Sequence, residues 1–228
     1  MMQASTDGGG GPASRVGTIV VAGRAIRLVR PADPDRLLDD PKVHERNRVD
    51  DYMPYWAYLW PGAYLLAEAI AAHEWTPGVQ ALEIGCGLGL AGLVGLSMGL
   101  RVHFTDYDDA ALDAVARSAG ANGFDPSRYS VGRLDWRDLP ARRYPLIFGA
   151  DVLYERKLVP LVADVLAAAL EPGGFALLAD PYRAAAEDLP CRLDALGLTS
   201  ELRAVSANTA ELGPIRGTIR RIWRPGAG

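Results

Sequence analysis

The chain has 228 residues, 49% of them hydrophobic and 23% charged, which suits one globular α/β domain with a sizeable core. Its net charge of −4, from 24 basic and 28 acidic side chains, lacks the basic excess of a general nucleic-acid binder, so no nucleic-acid partner is expected. Cys86 and Cys191 form no disulfide framework or zinc spacing, no apolar run reaches membrane-spanning length, and residues 1–16 lack a signal-peptide core; a metal-free, cytoplasmic protein is expected. In chain order, residues 1–15 are polar and glycine-rich and read as a disordered tail. Residues 16–59 read as an N-terminal extension, opening with two short strands, Thr18–Val21 and Ala25–Val29, that turn at Ala22-Gly23. A charged connector follows from Pro31 to Asp51, with one helical turn near Arg36–Asp39. Tyr52, Tyr55, Trp56, Tyr58, Trp60 and Tyr64 then form an aromatic cluster, and Pro61 opens a helix striped by Leu65, Leu66 and Ile70. The cluster reads either as packing of that helix onto a sheet or as cover for a bound ligand.

Residues 79–108 organise the rest. Ala81, Leu82 and Ile84 form an apolar run that meets glycines at alternate positions, Gly85, Gly87 and Gly89. An apolar stretch of helix length follows, then a second run, Val102 to Thr105, that ends in Asp106. Strand, glycine turn, helix, strand and acid is the plan of a nucleotide-binding βαβ unit. Glycines let the backbone approach a ligand, the helix N-terminus offers free N–H groups, and Asp106 can accept two hydrogen bonds from a ribose diol. Cys86 is small enough to fit between two of the glycines. Two nucleotides suit the pattern. Gly87-Leu88-Gly89-Leu90-Ala91-Gly92 satisfies the dinucleotide fingerprint, whereas Glu83 extends the motif to E-x-G-x-G-x-G. A carboxylate there would repel a pyrophosphate and suits a cationic ligand such as S-adenosylmethionine.

Beyond Asp106 and Tyr107, Asp108 caps a helix that runs to about Gly120 with Leu112 and Val115 inward, and Gly123 lies in its exit turn. Tyr129–Leu134 is a strand followed by Asp135-Trp136, which can bond an adenine amino group and cover its ring, or can simply pack in a loop. Tyr144 to Ala150 is a continuous apolar, buried strand that leads into Asp151-Val152-Leu153-Tyr154. A helix marked by Leu158 to Leu166, a turn at 170–174 and a strand at Phe175–Ala179 come next. The helical region 184–196 is split by Pro190, and Glu201–Ser206 with Ile215–Arg224 makes a terminal antiparallel pair. The expected fold is α/β: a doubly wound, mostly parallel, seven-stranded Rossmann-like sheet with a C-terminal hairpin, spanning 60–228, and a nucleotide across the strands' carboxyl ends.

From about Trp60 to Trp223 these motifs resemble the class I, seven-β-strand S-adenosylmethionine-dependent methyltransferases. Asp151 and Tyr154 make D-x-x-Y, which resembles the protein-lysine methyltransferases of that class, including those acting on the electron-transfer flavoprotein β-subunit and on chaperones. The N/D-P-P-Y/F motif of enzymes that methylate DNA adenine or glutamine is absent. The resemblance implies S-adenosylmethionine as cofactor, S-adenosylhomocysteine as product and a protein lysine as acceptor. It implies a cofactor site of Trp60, Glu83, Gly85, Cys86, Gly87, Gly89, Asp106, Tyr107, Asp135, Trp136 and Ala150. Asp151 would bind the incoming amine and Tyr154 would line its channel. From the residues alone, Asp151 capping the following helix with Tyr154 packed upon it stands as the alternative. Other functional readings are a small-molecule amine or heteroaromatic (nicotinamide-type) N-methyltransferase, an NAD-dependent reductase, and a non-catalytic nucleotide-binding interaction module.

Overall fold

A computed structural model describes residues 13–225. Most of the segment read as a disordered tail, residues 1–12, lies outside the described residues; its last two residues, Ser14 and Arg15, already belong to a strand. The strands β1 (Ser14–Val21) and β2 (Arg24–Pro31) pair in full register from Ser14–Pro31 to Val21–Arg24. Ala22 and Gly23 both take positive φ, 46° and 77°, as a two-residue hairpin turn requires. Ile19, Val21, Ile26 and Leu28 are buried in the same core as Leu65, Leu93, Phe104 and Val115, so the hairpin packs onto the sheet's helical layer.

The connector holds more structure than expected. A 3-10 turn at Asp35–Asp39 is followed by α1 (Pro41–Asp50), a helix where the sequence predicts only a charged connector. Its start carries the usual signals: Asp40 accepts a hydrogen bond from the Lys42 N–H, and Pro41 occupies the first turn. Yet no residue of α1 is buried, so there was no apolar stripe to read. A second 3-10 turn, Tyr55–Ala57, leads into α2 (Pro61–Ala71), which buries Tyr64, Leu65, Leu66 and Ile70.

The main sheet is built from β3 (Gln80–Ile84), β4 (Arg101–Asp106), β5 (Tyr129–Arg133), β6 (Tyr144–Ala150), β7 (Leu170–Asp180), β8 (Thr199–Thr209) and β9 (Gly213–Trp223). The intervening helices are α3 (Leu90–Ser97), α4 (Asp109–Ala121), α5 (Leu158–Ala169) and α6 (Leu189–Ala195). Strand order is β5-β4-β3-β6-β7-β9-β8; the first five are parallel, and β9 runs antiparallel to both of its neighbours. This is the expected seven-stranded, doubly wound sheet with its terminal hairpin. Side chains alternate between its faces: Leu146 and Phe148 join the core under α2 and α3, while Ile147 joins the one under α5 and α6. Burying each such side chain contributes on the order of 1.5–3 kcal/mol.

One boundary differs. Residues 170–174, expected to be a turn, already belong to β7: Leu170 pairs with Tyr144 and Phe175 with Leu146, so residues 171–174 bulge opposite Pro145. The helical region around Pro190 is split as expected, into a 3-10 turn at Ala184–Asp188 and α6. Strand order reverses between β3 and β6, and in open α/β sheets the ligand crevice lies at the carboxyl ends of the strands around that reversal.

Candidate functional site

The loop leaving β3 takes a conformation that favours glycine. Gly85, Gly87 and Gly89 have φ of 57°, 51° and 72°. A Cβ at Gly85 would lie 2.8 Å from Trp136, and one at Gly89 would lie 2.7 Å from Val115. At Gly87 the closest neighbour would be the Trp56 carbonyl at 3.5 Å, so this glycine presents bare backbone beneath the 3-10 turn that precedes α2. Cys86 is buried; its N–H donates to Thr105 O at 2.9 Å, and burial drives its thiol well above the ordinary range, which leaves it inert.

Asp106 ends β4 against this loop. The Gly87 N–H donates to its Oδ2 at 2.8 Å and the Asp108 N–H to its Oδ1 at 3.0 Å. Burial pushes its pKa up to about 6. Each oxygen keeps a second acceptor site, so the carboxylate can bind the loop and a ribose hydroxyl together.

The expectation that Glu83 faces a cationic ligand is corrected. Its side chain is 2% exposed and Oε2 accepts the Gly92 N–H at 3.0 Å, inside the βα turn. Burial raises its pKa to about 8, which favours the neutral carboxyl in the ligand-free protein. Glu83 shapes the loop from below, and the choice against a pyrophosphate ligand does not rest on it.

Tyr107 lines a cavity under α1 with Arg46, Asp50 and Arg137, and Asp135 is tied to it through Arg137. Tyr107 lies among the guanidiniums of Arg46, Arg133 and Arg137, 5.1–5.7 Å from its ring, and its hydroxyl donates to Asp50 at 3.1 Å. Arg137 holds Asp135 at 2.6 Å and Asp50 at 3.1 Å, and its hydrogen bonds keep the Asp135 carboxyl below the usual range. Trp136 is half-buried beside Gly85.

Ala150 and Asp151 stand at the end of β6. Asp151 is 7% exposed and has φ of 56°, a left-handed conformation that non-glycine residues adopt at some energetic cost. The Gly62 N–H donates to Oδ2 at 2.6 Å, while Arg183 donates to Oδ1 from Nη2 at 2.9 Å and Nε at 3.2 Å. Burial raises its pKa, opposed by Arg183 and the backbone of Gly62. Asp151 is therefore a helix cap, but for α2 and not for the following helix. The residue before α5, Lys157, supplies no side-chain cap. Trp60 precedes α2, with its Nε1–H donating to Tyr55 O at 2.8 Å. Its ring lies 5.9 Å from Tyr55 and 5.8 Å from Tyr58, and Tyr55 meets Tyr154 edge-on at 5.3 Å. Tyr154 is 37% exposed, and burial of its hydroxyl pushes the pKa to about 12. Gly85 packs between Trp136 and Val152, so the glycine loop and the Asp151 side form one crevice.

Sequence reasoning missed Asp180, Tyr182 and Arg183 at the end of β7. The strand-end rule that singled out Asp151 applies equally to this D-P-Y-R segment.

The strand order and the glycine loop with Asp106 at the reversal define the fold of S-adenosylmethionine-dependent methyltransferases. A family model described as lysine methyltransferase matches residues 57–188, and the chain belongs to that family. It is 36% identical over 116 residues to the ribosomal protein L11 methyltransferase of Pseudomonas aeruginosa, covering 49% of this chain and 37% of that protein. It is 30% identical over 132 residues to EEF1A lysine methyltransferase 3 of Mus musculus, covering 56% of each chain. The chain thus spans well under two thirds of the length of these relatives. Among solved structures, a SAM-dependent methyltransferase from Methanosarcina mazei aligns with TM-score 0.54 at 14% identity, over 66% of this chain and 94% of that one. The [4+2]-cyclase SpnF aligns with TM-score 0.55 at 16% identity, over 71% and 80%. A cyclase on the same fold shows that the architecture alone does not set the reaction.

The residues fit S-adenosylmethionine, the cofactor of this family. Two of the three loop glycines have no room for a side chain, and Asp106 keeps acceptor sites for a ribose. Among the described residues, no group of three or more His, Cys, Asp or Glu could hold a metal ion, and no helix is long and apolar enough to cross a membrane.

Proposed function

We propose that the chain methylates the side-chain amine of a lysine on a protein, in the cytoplasm, using Asp151 to bind that amine. The observation that carries this reading is the Asp151 carboxylate, buried at the reversal of the sheet and joined through Arg183 to the Trp60 ring, which packs with Tyr55 and, through it, Tyr154. S-adenosylmethionine supplies a methyl group already activated by its sulfonium. The protein must bring a neutral amine in line at about 3 Å and exclude water. Free lysine is protonated at pH 7, with a pKa of about 10.4, so the site must first accept an ammonium and then let its proton leave. Asp151 pairs with the ammonium, and the aromatic faces hold it and its methylated product by cation–π attraction. Tyr154 lines the entry with a neutral hydroxyl, and burial pushes its pKa further up, to about 12. The two relatives named for protein substrates support a protein acceptor, and the net charge of −4 speaks against a nucleic-acid one.

Calorimetry should detect S-adenosylmethionine binding and none of NAD, and mass spectrometry of a cognate lysate with labelled cofactor should place the label on lysine. Asp151→Asn keeps an oxygen for the Gly62 N–H while removing the charge. It should lower kcat/KM at least about a hundredfold, roughly 2.7 kcal/mol in transition-state terms, with cofactor affinity within about threefold. Full activity in Asp151→Asn on the labelled acceptor would overturn the assignment.

A further inference from the structure

Beside Asp151, the place for an acceptor cation is already taken. Arg183 makes two hydrogen bonds to Asp151 Oδ1 and lies 5.7 Å over the Trp60 ring, the carboxylate and the aromatic face that a lysine ammonium would use. We propose that Arg183 is a resident counter-cation which the acceptor's ammonium displaces, making it a positioning residue that sets which amines reach Asp151. This rests on the reading of Asp151 as the amine-binding group.

Three features give the displaced side chain somewhere to go. The backbone of Arg183 is fixed, because its N–H donates to Asp180 Oδ1, so only the side chain need swing. A cavity of about 180 Å³ opens next to it, lined by Arg183 itself with Asp180, Glu187, Tyr182 and Leu153. Asp180 is 5% exposed, and its Oδ2 has no hydrogen-bond partner. A buried carboxylate oxygen without a donor is uncommon in folded proteins, and a guanidinium turned into the cavity would supply one. Arg220 lines the cavity as well, so the second position is opposed by one like charge as well as drawn by two carboxylates.

The exchange has a physical logic. A buried carboxylate with no counter-ion is strongly disfavoured, and a resident cation keeps Asp151 ionised between turnovers. Arg183 binds as a planar fork, which an ammonium cannot match bond for bond. The incoming amine must therefore draw on contacts made by the rest of its substrate. Small free amines lack those contacts and are held off, whereas a lysine carried on a docked protein is admitted.

The test uses the full chain saturated with S-adenosylhomocysteine, and n-butylammonium as a probe for the lysine side chain. Arg183→Gln should bind the probe at least about tenfold more tightly than the wild type, and Arg183→Lys, which restores a cation, should return near the wild-type value. In the wild type, the ¹⁵N resonance of Arg183 Nε should shift as the probe saturates; this measurement decides the matter if Arg183→Gln does not fold. Equal probe affinity in folded Arg183→Gln and wild type, or an unmoved Arg183 resonance at saturation, would overturn the displacement while leaving Asp151 its role. Probe binding that survives Asp151→Asn unchanged would instead remove the amine site itself.

Discussion

Glu83 is a carboxyl group enclosed by backbone and apolar side chains, with a pKa raised to about 8 from 4.5. The folded state therefore holds its proton more tightly than the unfolded chain does. This contribution to stability is fully present below about pH 4.5 and is lost as pH rises through about 8. Asp106, raised to about 6, acts in the same direction over a lower range. Glu83→Gln is neutral at every pH and keeps an acceptor for the Gly92 N–H. Thermal melts of the ligand-free protein should show the variant gaining on the wild type between pH 5 and pH 8. The gain should be at least about 1 kcal/mol, or about 2–4 °C. Parallel curves for the two proteins would reject a buried, protonated Glu83. The positions of Asp106 and Asp151 were legible because each ends a strand, and a strand end can be read from an apolar run. Their partners were not legible: Gly62 meets Asp151 from 89 residues away and Arg183 from 32. The burial of Glu83 was hidden for a related reason, since only the close approach of α3 at Gly92 encloses it.

Among the elements, α1 stands apart. It buries nothing and is held over the crevice by Arg46 on Asp108 at 3.5 Å and by Asp50 on Arg137 at 3.1 Å, with Lys157 reaching Asp51 just beyond its end at 3.2 Å. The pairs of Asp50 with Arg137 and of Asp51 with Lys157 are exposed and worth about 0–1 kcal/mol each, and Arg46 alone of the three cations reaches a buried carboxylate, so α1 should open without the sheet. Raising salt from 0.01 to 1 M shortens the screening length from about 30 Å to about 3 Å. Amide exchange over residues 41–50 should then accelerate severalfold while α2 keeps its protection. Uniform acceleration of both helices would show that α1 is not a separately opening unit. A helix that buries no apolar stripe leaves little trace in hydropathy, which is why the cap at Asp40-Pro41 was its only signal. The early start of β7 escaped for the opposite reason. Pro172, Gly173 and Gly174 carry turn chemistry, and the pairing of Leu170 with Tyr144 overrides it.

At the scale of the molecule, two hairpins are tied to one helix. Glu211, between β8 and β9, accepts from Tyr64 of α2 at 3.0 Å and pairs with Arg30 of β2. Its hydrogen bond from Arg30 holds the Glu211 carboxyl below its ordinary range, so this tie is present above about pH 4.5 and weakens as pH falls. Glu211→Gln should destabilise the protein at pH 7 by about 1 kcal/mol, allowing for partial exposure, and the difference should shrink in acid. Denaturant melts at pH 7 and pH 4 measure both; an unchanged midpoint at pH 7 would show that the hairpins are held by their apolar contacts alone. The sheet itself was legible apart from the early start of β7, because alternating and continuous apolar runs set its strands. The Glu211 tie joins residues from three distant parts of the chain, and no local pattern marks it.

Asp151 also closes the first turn of α2, the helix that both hairpins pack against. An oxygen at this position is therefore needed to close α2, whatever else the carboxylate does. A descendant that had abandoned methyl transfer would still need an oxygen for the Gly62 N–H, so an aspartate at this position does not by itself certify a working enzyme.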